Sequence, residues 1–418
     1  MSFARLRLVS LAALLAVAAG PALPGDDHSH GRSLPDDPHL SVSGAVEAAA
    51  ERLRLGQWNR QRAAVAASRR ARGGAWLGDA PALAGTWHDY SSLNDHDYYE
   101  AELFVSLPLW RVGERKARRE LAEQDAALAR LEGQARLLAV AGDVRQALWQ
   151  VLEARTRVTL LEQGEANARR YAEQMALRVA GGDASQADLL QSRQLVLKLR
   201  SQVLEASALL VDQSRRWRLI TGLDALPQEP AEQAAAIDGI RAEHPLLLQA
   251  RARVDWLRAE LQAQRRGGSQ RPALQLGVKR EDFDQLAPPL DSVGIGFAVP
   301  LGRGRDNAVT VEQTSQALLE AEVAAQALQR ELEEELHDVR HQINIIERHM
   351  SDSGALLEIA QQVLAMEQLA NRQGEITVIE VLRAGQGLAE ARQRHAVLTL
   401  QRQALTARYN QVVGELPR

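Results

Sequence analysis

Apolar residues recur along most of this chain at helical spacing, and twice in each half the spacing shortens to every second residue. The first helical pattern runs from about Ser41 to Arg72 and breaks at Gly73, Gly74, Gly78 and Pro81. Alternating segments follow at Leu83, Gly85, Trp87 and at Leu103, Val105, Leu107, which predict a β-hairpin over 81–110. From Val112 to about Ala180 there is neither proline nor a turn cluster. Leu121, Leu128, Ala135 and then Val144, Val151, Val158 step by seven. Gly181 and Gly182 interrupt, and a return helix reaches Gly222, so 112–222 is expected to be a long helical hairpin.

The same order then recurs. His244-Pro245 opens a helix ending near Gly267, and alternation at Leu274, Leu276, Val278 and at Val293, Ile295, Phe297, Val299 predicts a second β-hairpin over 272–301. A second long helical hairpin is expected over 306–414, with Leu318, Ala325, Leu332, Val339 and Ile346 seven apart and a break at Gly374. The punctuation keeps register: Pro108 and Pro300, Gly182 and Gly374, Arg216 and Arg408, Gly222 and Gly414 are all 192 residues apart. Such a period is the signature of a duplicated structural unit. The glycine breaks also share a restart device. Ser185 with Asp188, and Thr377 with Glu380, have the spacing of a capping box, in which a hydroxyl and a carboxylate satisfy the first free backbone amides of a helix.

These patterns divide the chain into a leader, 1–22, a flexible histidine-containing tail, 23–40, a first repeat, 41–223, a linker, 224–243, and a second repeat, 244–418. The leader is read from Arg5 and Arg7, the apolar run Leu8 to Ala19 and the small residues around Pro21, which together make an export signal. No later stretch is apolar enough for a membrane helix. The strands have another route into lipid. Leu103, Val105 and Leu107 share one face while Glu100, Glu102 and Ser106 share the other, and Trp87, Tyr98, Tyr99 and Trp110 stand near strand ends. That is the alternation of a transmembrane barrel with an aromatic girdle. Four strands cannot close alone, whereas three chains would supply twelve. The fold class expected is therefore mainly α with a small β part: duplicated long helical hairpins with four strands per chain.

Composition narrows the chemistry. Aromatic residues are 4% of the 418, which suits long helices better than a compact core, and the net charge of −4 gives no basic excess for nucleic acid. Without cysteine there is no disulfide, thiolate catalysis or Cys-ligated metal, and no lipid on an N-terminal cysteine. No phosphate-cradling glycine loop or nucleophile–base pair occurs, so neither an enzyme nor a cofactor is expected.

Two copies of strand hairpin, Pro-Leu, long helix, glycine tip and return helix resemble the TolC-like outer-membrane efflux protein family over nearly the whole chain after the leader. The most specific pieces are Val299-Pro300-Leu301 and the stretch from Gly374-Glu375-Ile376-Thr377 to Glu380-Val381-Leu382. The latter is most similar to tips of members serving heavy-metal resistance–nodulation–division pumps; 181–190 is a looser version. The resemblance implies a homotrimer in outer-membrane lipid, its helical hairpins forming an α-barrel and its four strands per chain contributing to a trimeric 12-stranded transmembrane β-barrel, with a periplasmic adaptor, an inner-membrane pump and passive conduction; heavy-metal cations are the preferred cargo and drug export or type I protein secretion the alternatives. A soluble periplasmic coiled-coil scaffold or adaptor would share the leader, heptads and hairpins.

On this resemblance the adaptor-docking tip comprises Gly182, Ser185, Asp188, Leu189, Gly374, Thr377, Glu380 and Val381. Glu173, Asp183, Glu367 and Glu375 lie near the tips and, repeated threefold, would make an acidic gate favouring cations. The metal candidates are His337 and His341, four apart on one helix, and His28 and His30 in the tail.

Overall fold

The computed structural model describes residues 33–90, 98–182, 184–267, 270–283, 288–300 and 305–417. In chain order they form β1 (Asp36–Asp37), α1 (Val42–Arg52), α2 (Leu55–Gly74), β2 (Ala82–Asp89), β3 (Tyr98–Pro108), α3 (Glu114–Ala180), α4 (Gln186–Thr221), β4 (Leu226–Pro227), α5 (Pro245–Arg266), β5 (Ala273–Phe283), β6 (Leu290–Ala298), α6 (Arg305–Gln373) and α7 (Val378–Val412). The duplication is plain in this order. Helix α3 has 67 residues and α6 has 69, each about 100 Å long at ~1.5 Å per residue. Every glycine that marked the register lies in the left-handed region: Gly182 at φ 84°, Gly374 at 80°, Gly222 at 77° and Gly414 at 83°. A side chain is strained there, so glycine ends each helix at the same place in both repeats.

Helix α3 is central. It packs against α1, α2, α4, α5 and α7, and the heptad residues Leu121, Leu128, Ala135, Val144, Val151 and Val158 are all buried. Helix α6 packs chiefly on α5 and α7. Its series is accordingly less covered: Leu332 and Val339 are buried while Leu318, Ala325 and Ile346 are half-exposed. The main core joins α1, the middle of α3 and the end of α4 around Ala45, Val144, Leu148 and Trp217.

The linker is pinned from both repeats. Trp217 Nε1 donates to Ala225 O at 3.0 Å, and its counterpart 192 residues on, Tyr409, donates its hydroxyl to Ile237 O. Arg145 holds Glu232 through Nη2 at 2.6 Å and Nε at 2.8 Å.

Two features differ from the sequence expectation. The stretch expected to be a flexible tail is anchored where it is described: Leu34 is buried, β1 pairs in parallel with β4, and Asp36 accepts from Arg155 Nη1 at 2.7 Å. The reason is tertiary, because its partners lie over a hundred residues away. The single helix expected from Ser41 to Arg72 is broken between α1 and α2. Arg54 sits at φ 53°, the one non-glycine with positive φ among the described residues. The break leaves Leu53 exposed and buries Leu55, and Arg52 Nε ties the end of α1 to Leu219 O at 2.9 Å. Packing of the two segments on different parts of the α3–α4 hairpin outweighs the local strain.

Strands β2, β3, β5 and β6 form one antiparallel sheet in that order. The helices keep the same sideways order, α2–α3–α5–α6 near the sheet and α4–α3–α7–α6 farther away.

Candidate functional site

Both tips turn on the device read from the sequence. At the first, Ser185 Oγ accepts from Asp188 N at 3.1 Å, and Asp188 Oδ2 accepts from Ser185 N at 3.3 Å. At the second, Glu380 Oε2 accepts from Thr377 N at 2.8 Å and from its hydroxyl at 3.2 Å. Asn371 Nδ2 further holds Ile376 O at 2.9 Å. Each tip thus satisfies backbone amides at its helix start from its own side chains. Gly182, Ser185, Gly374, Thr377 and Glu380 are exposed, and Asp188 is half-exposed. Leu189 and Val381 are not: both are buried within their own hairpins, so they brace the tips from inside.

The acidic candidates separate by environment. Glu173 and Glu375 are exposed; Asp183 lies outside the described residues. Glu367 occupies the position that the fully buried Met175 holds in the first repeat, 192 residues earlier. It is half-buried, and its Oε2 has no hydrogen-bond partner among the described residues.

The sheet at the other end has two faces. Cross-strand rows Leu83–Val105–Leu276–Ile295 and Gly85–Leu103–Val278–Val293 stack with Leu107–Leu274–Phe297 on one side, and most of these apolar side chains are exposed in the single chain. On that face Trp87 and Tyr99 stack with centroids 5.0 Å apart near the end away from the helices. The opposite face carries Ser106, Gln275, Thr86, Glu102, Lys279 and Ser292. There Lys279 Nζ lies 2.6 Å from Glu100 Oε1 and 2.6 Å from Glu281 Oε1. Exposed apolar rows call for a cover of lipid or protein, whereas the charged face suits water.

A second apolar pattern escaped sequence reasoning. Leu190, Leu197, Leu204 and Val211 form an exposed stripe seven residues apart on α4, and Ile345, Ile359 and Met366 keep a seven-residue grid on α6. These are the two helices at the sides of the layer. The signal was present as a second heptad series, out of phase with the buried one; periodicity alone does not say which series meets its own chain.

The metal candidates do not converge. His337 and His341 are exposed with parallel rings 6.5 Å apart, and among the described residues no group of three or more His, Asp or Glu could hold an ion. His28 and His30 lie outside the described residues.

One face of the sheet is apolar, the other carries paired charge, and the sheet continues into helical hairpins about 100 Å long. Known proteins share this architecture. Residues 46–223 match the family model for outer membrane efflux protein. A solved structure of CusC, titled for its folding and transmembrane channel formation, is similar with a TM-score of 0.71 at 16% identity, covering 92% of this chain and 93% of that one. The outer membrane protein VceC from Vibrio cholerae gives 0.71 at 14%, covering 90% and 96%. A membrane protein from Pseudomonas aeruginosa gives 0.68 at 18%, covering 92% of each. No curated protein matches the sequence. The sequence of residues 46–223 resembles outer membrane efflux proteins, and the fold of about nine-tenths of the chain resembles that of CusC and VceC.

Proposed function

We propose that this chain is the exit duct of a tripartite efflux pump: a homotrimer whose three sheets close into a 12-stranded barrel in lipid, above an α-barrel that reaches a periplasmic adaptor and, through it, an inner-membrane pump. One observation carries the reading. The lipid-faced sheet ends in β2 and β6, each paired on one side only, and beneath these edges stand α4 and α6 with their exposed apolar stripes. Open strand edges are not tolerated in lipid. A threefold rotation sets β6 beside the next β2 and α6 beside the next α4, a head-to-tail contact that closes into a ring.

The adaptor would meet the exposed tip residues Gly182, Ser185, Gly374, Thr377 and Glu380 and the half-exposed Asp188, while Leu189 and Val381 hold the tips in shape. Glu173, Asp183, Glu367 and Glu375, repeated threefold, would favour cations at the narrow end. Heavy-metal cations are the cargo we favour, supported by the second tip's sequence and this acidic end; the separated histidines take no part in it.

Fractionation tests the duct. The chain should sediment with outer membrane and run as a detergent-stable trimer, whereas a water-soluble monomer would overturn the reading in favour of a periplasmic scaffold. In planar bilayers, Asp183→Asn combined with Glu375→Gln should lower cation selectivity several-fold. Unchanged selectivity would remove the acidic gate and leave the duct standing.

A further inference from the structure

Positive charge is gathered where the sheet gives way to the helices. Segments 69–79, 110–120 and 265–271 hold eleven Lys and Arg against three Asp and Glu, in a chain whose net charge is −4. The carboxylates there are largely spent. Glu114 is buried 2.8 Å from Arg271 Nη2, and Asp79 Oδ2 is 3.1 Å from Arg271 Nη1.

Within this belt a cleft of about 340 Å³ is lined by Trp110, Arg111, Val112, Arg265, Arg266 and Pro272, among others. Arg111 spends two donors on a neutral acceptor, Gln270 O, at 3.1 and 2.6 Å, so its charge is uncompensated. Arg265 and Arg266 pair with no carboxylate among the described side chains, whereas Arg271 pairs with Asp79 and Glu114. Three guanidinium groups line one cleft, and the planar donor fork of arginine suits phosphate oxygens.

The surroundings name the source of the anion. Pro272 immediately precedes β5, whose Leu274 belongs to the apolar rows. Val112, at the cleft itself, is 95% exposed; Val299 is exposed next to Pro300 of the cleft, and Trp76 is exposed next to Ala75, whose carbonyl accepts from Trp110 Nε1 at 3.1 Å. An exposed aliphatic side chain beside arginines suits the boundary of acyl chains and headgroups.

We propose that this cleft binds the phosphodiester headgroup of an anionic phospholipid in the periplasmic leaflet, with Arg265 and Arg266 on the phosphate and Val112 against the first acyl carbons. The site fixes the depth of the sheet in the membrane at the level where strands become helices. It rests on the outer-membrane placement argued above.

The test uses the full chain purified as a trimer in mild detergent, titrated with phosphatidylglycerol and read by native mass spectrometry. The unmodified protein should retain one lipid per chain, with retention falling as sodium chloride rises. Arg265→Gln with Arg266→Gln should weaken retention about thirtyfold, from ~1 kcal/mol per basic residue at a lipid surface. Arg392→Gln with Arg394→Gln, exposed on α7 away from the belt, should leave it unchanged. Equal retention by the cleft variant would overturn the site, as would displacement by millimolar inorganic phosphate, which would assign it to the free anion. If the cleft variant does not fold, the unmodified protein still decides: uncharged diacylglycerol held as tightly as phosphatidylglycerol refutes a headgroup site. A trimer that inserts but keeps no lipid sinks this proposal alone; a chain that never inserts sinks the duct.

Discussion

Replacing Glu232 with alanine should loosen the junction between the two repeats by about 3 kcal/mol, more than removing the arginine it pairs with. The Arg145 side chain is 4% exposed and that of Glu232 is 11%. Arg145 also donates from Nη1 to Gln411 Oε1 at 2.7 Å and to Glu415 O at 3.0 Å, and Glu232 accepts from Asn410 Nδ2 at 3.1 Å. Deleting the carboxylate strands a buried cation with two neutral acceptors, at the low end of the ~3–5 kcal/mol for breaking a buried pair. Arg145→Met instead fills similar volume with an apolar chain, and leaves Glu232 with Asn410 and a path to water, a loss of about 1–2 kcal/mol. The double variant should therefore be more stable than Glu232→Ala alone, with a coupling of about 2 kcal/mol. Amide exchange over 228–240 in the detergent-solubilised protein reads the local opening. Glu232→Ala should speed it on the order of a hundredfold. If the double variant opens as readily as the single one, the reasoning from a stranded charge is wrong.

Two further outcomes follow from particular contacts. Gly277→Val should destabilise the folded sheet by about 1–3 kcal/mol, because a Cβ there would lie 2.9 Å from Phe104 Cβ and 3.0 Å from Leu103 O. Gly294→Ala, with nothing within 4 Å, should be tolerated, and heat-dependent gel mobility of the folded barrel compares them; equal losses would mean that strand glycine matters for its backbone and not for Phe104. His244 caps α5 by accepting from Leu246 N at 3.2 Å through Nδ1, and burial pushes its pKa below the ordinary histidine value, the Val412 carbonyl offsetting part. The unfolded chain then takes the proton more readily, so this contribution is whole above about pH 6.5, shrinks as pH falls and levels off below the folded-state pKa. His244→Asn should flatten the acid side of the thermal-midpoint profile between about pH 7.5 and pH 5; an unaltered slope would exclude His244 as its source.

The tips were readable almost atom by atom. A capping box needs only residues three apart in one helix turn, so Ser185 with Asp188 and Thr377 with Glu380 declared themselves locally. What could not be read was which tip side chains remain accessible, because the burial of Leu189 and Val381 depends on the opposite arm of each hairpin. The basic belt shows the same limit. Its arginines come from three segments up to two hundred residues apart, and only the fold puts them beside one cleft.

By itself the sequence determined the duplication, the lengths of the helical arms, the strand faces and the turn positions. Each follows from interactions within a few residues: period two or seven, a glycine at positive φ, a proline at a strand end. The tertiary structure decided the order of the sheet, the anchoring of residues 33–40 on the linker, the break at Arg54, and which heptad stripes meet their own chain. Those outcomes depend on long-range burial, which outweighs local preference wherever a large apolar surface can be covered only by bending or pinning the chain.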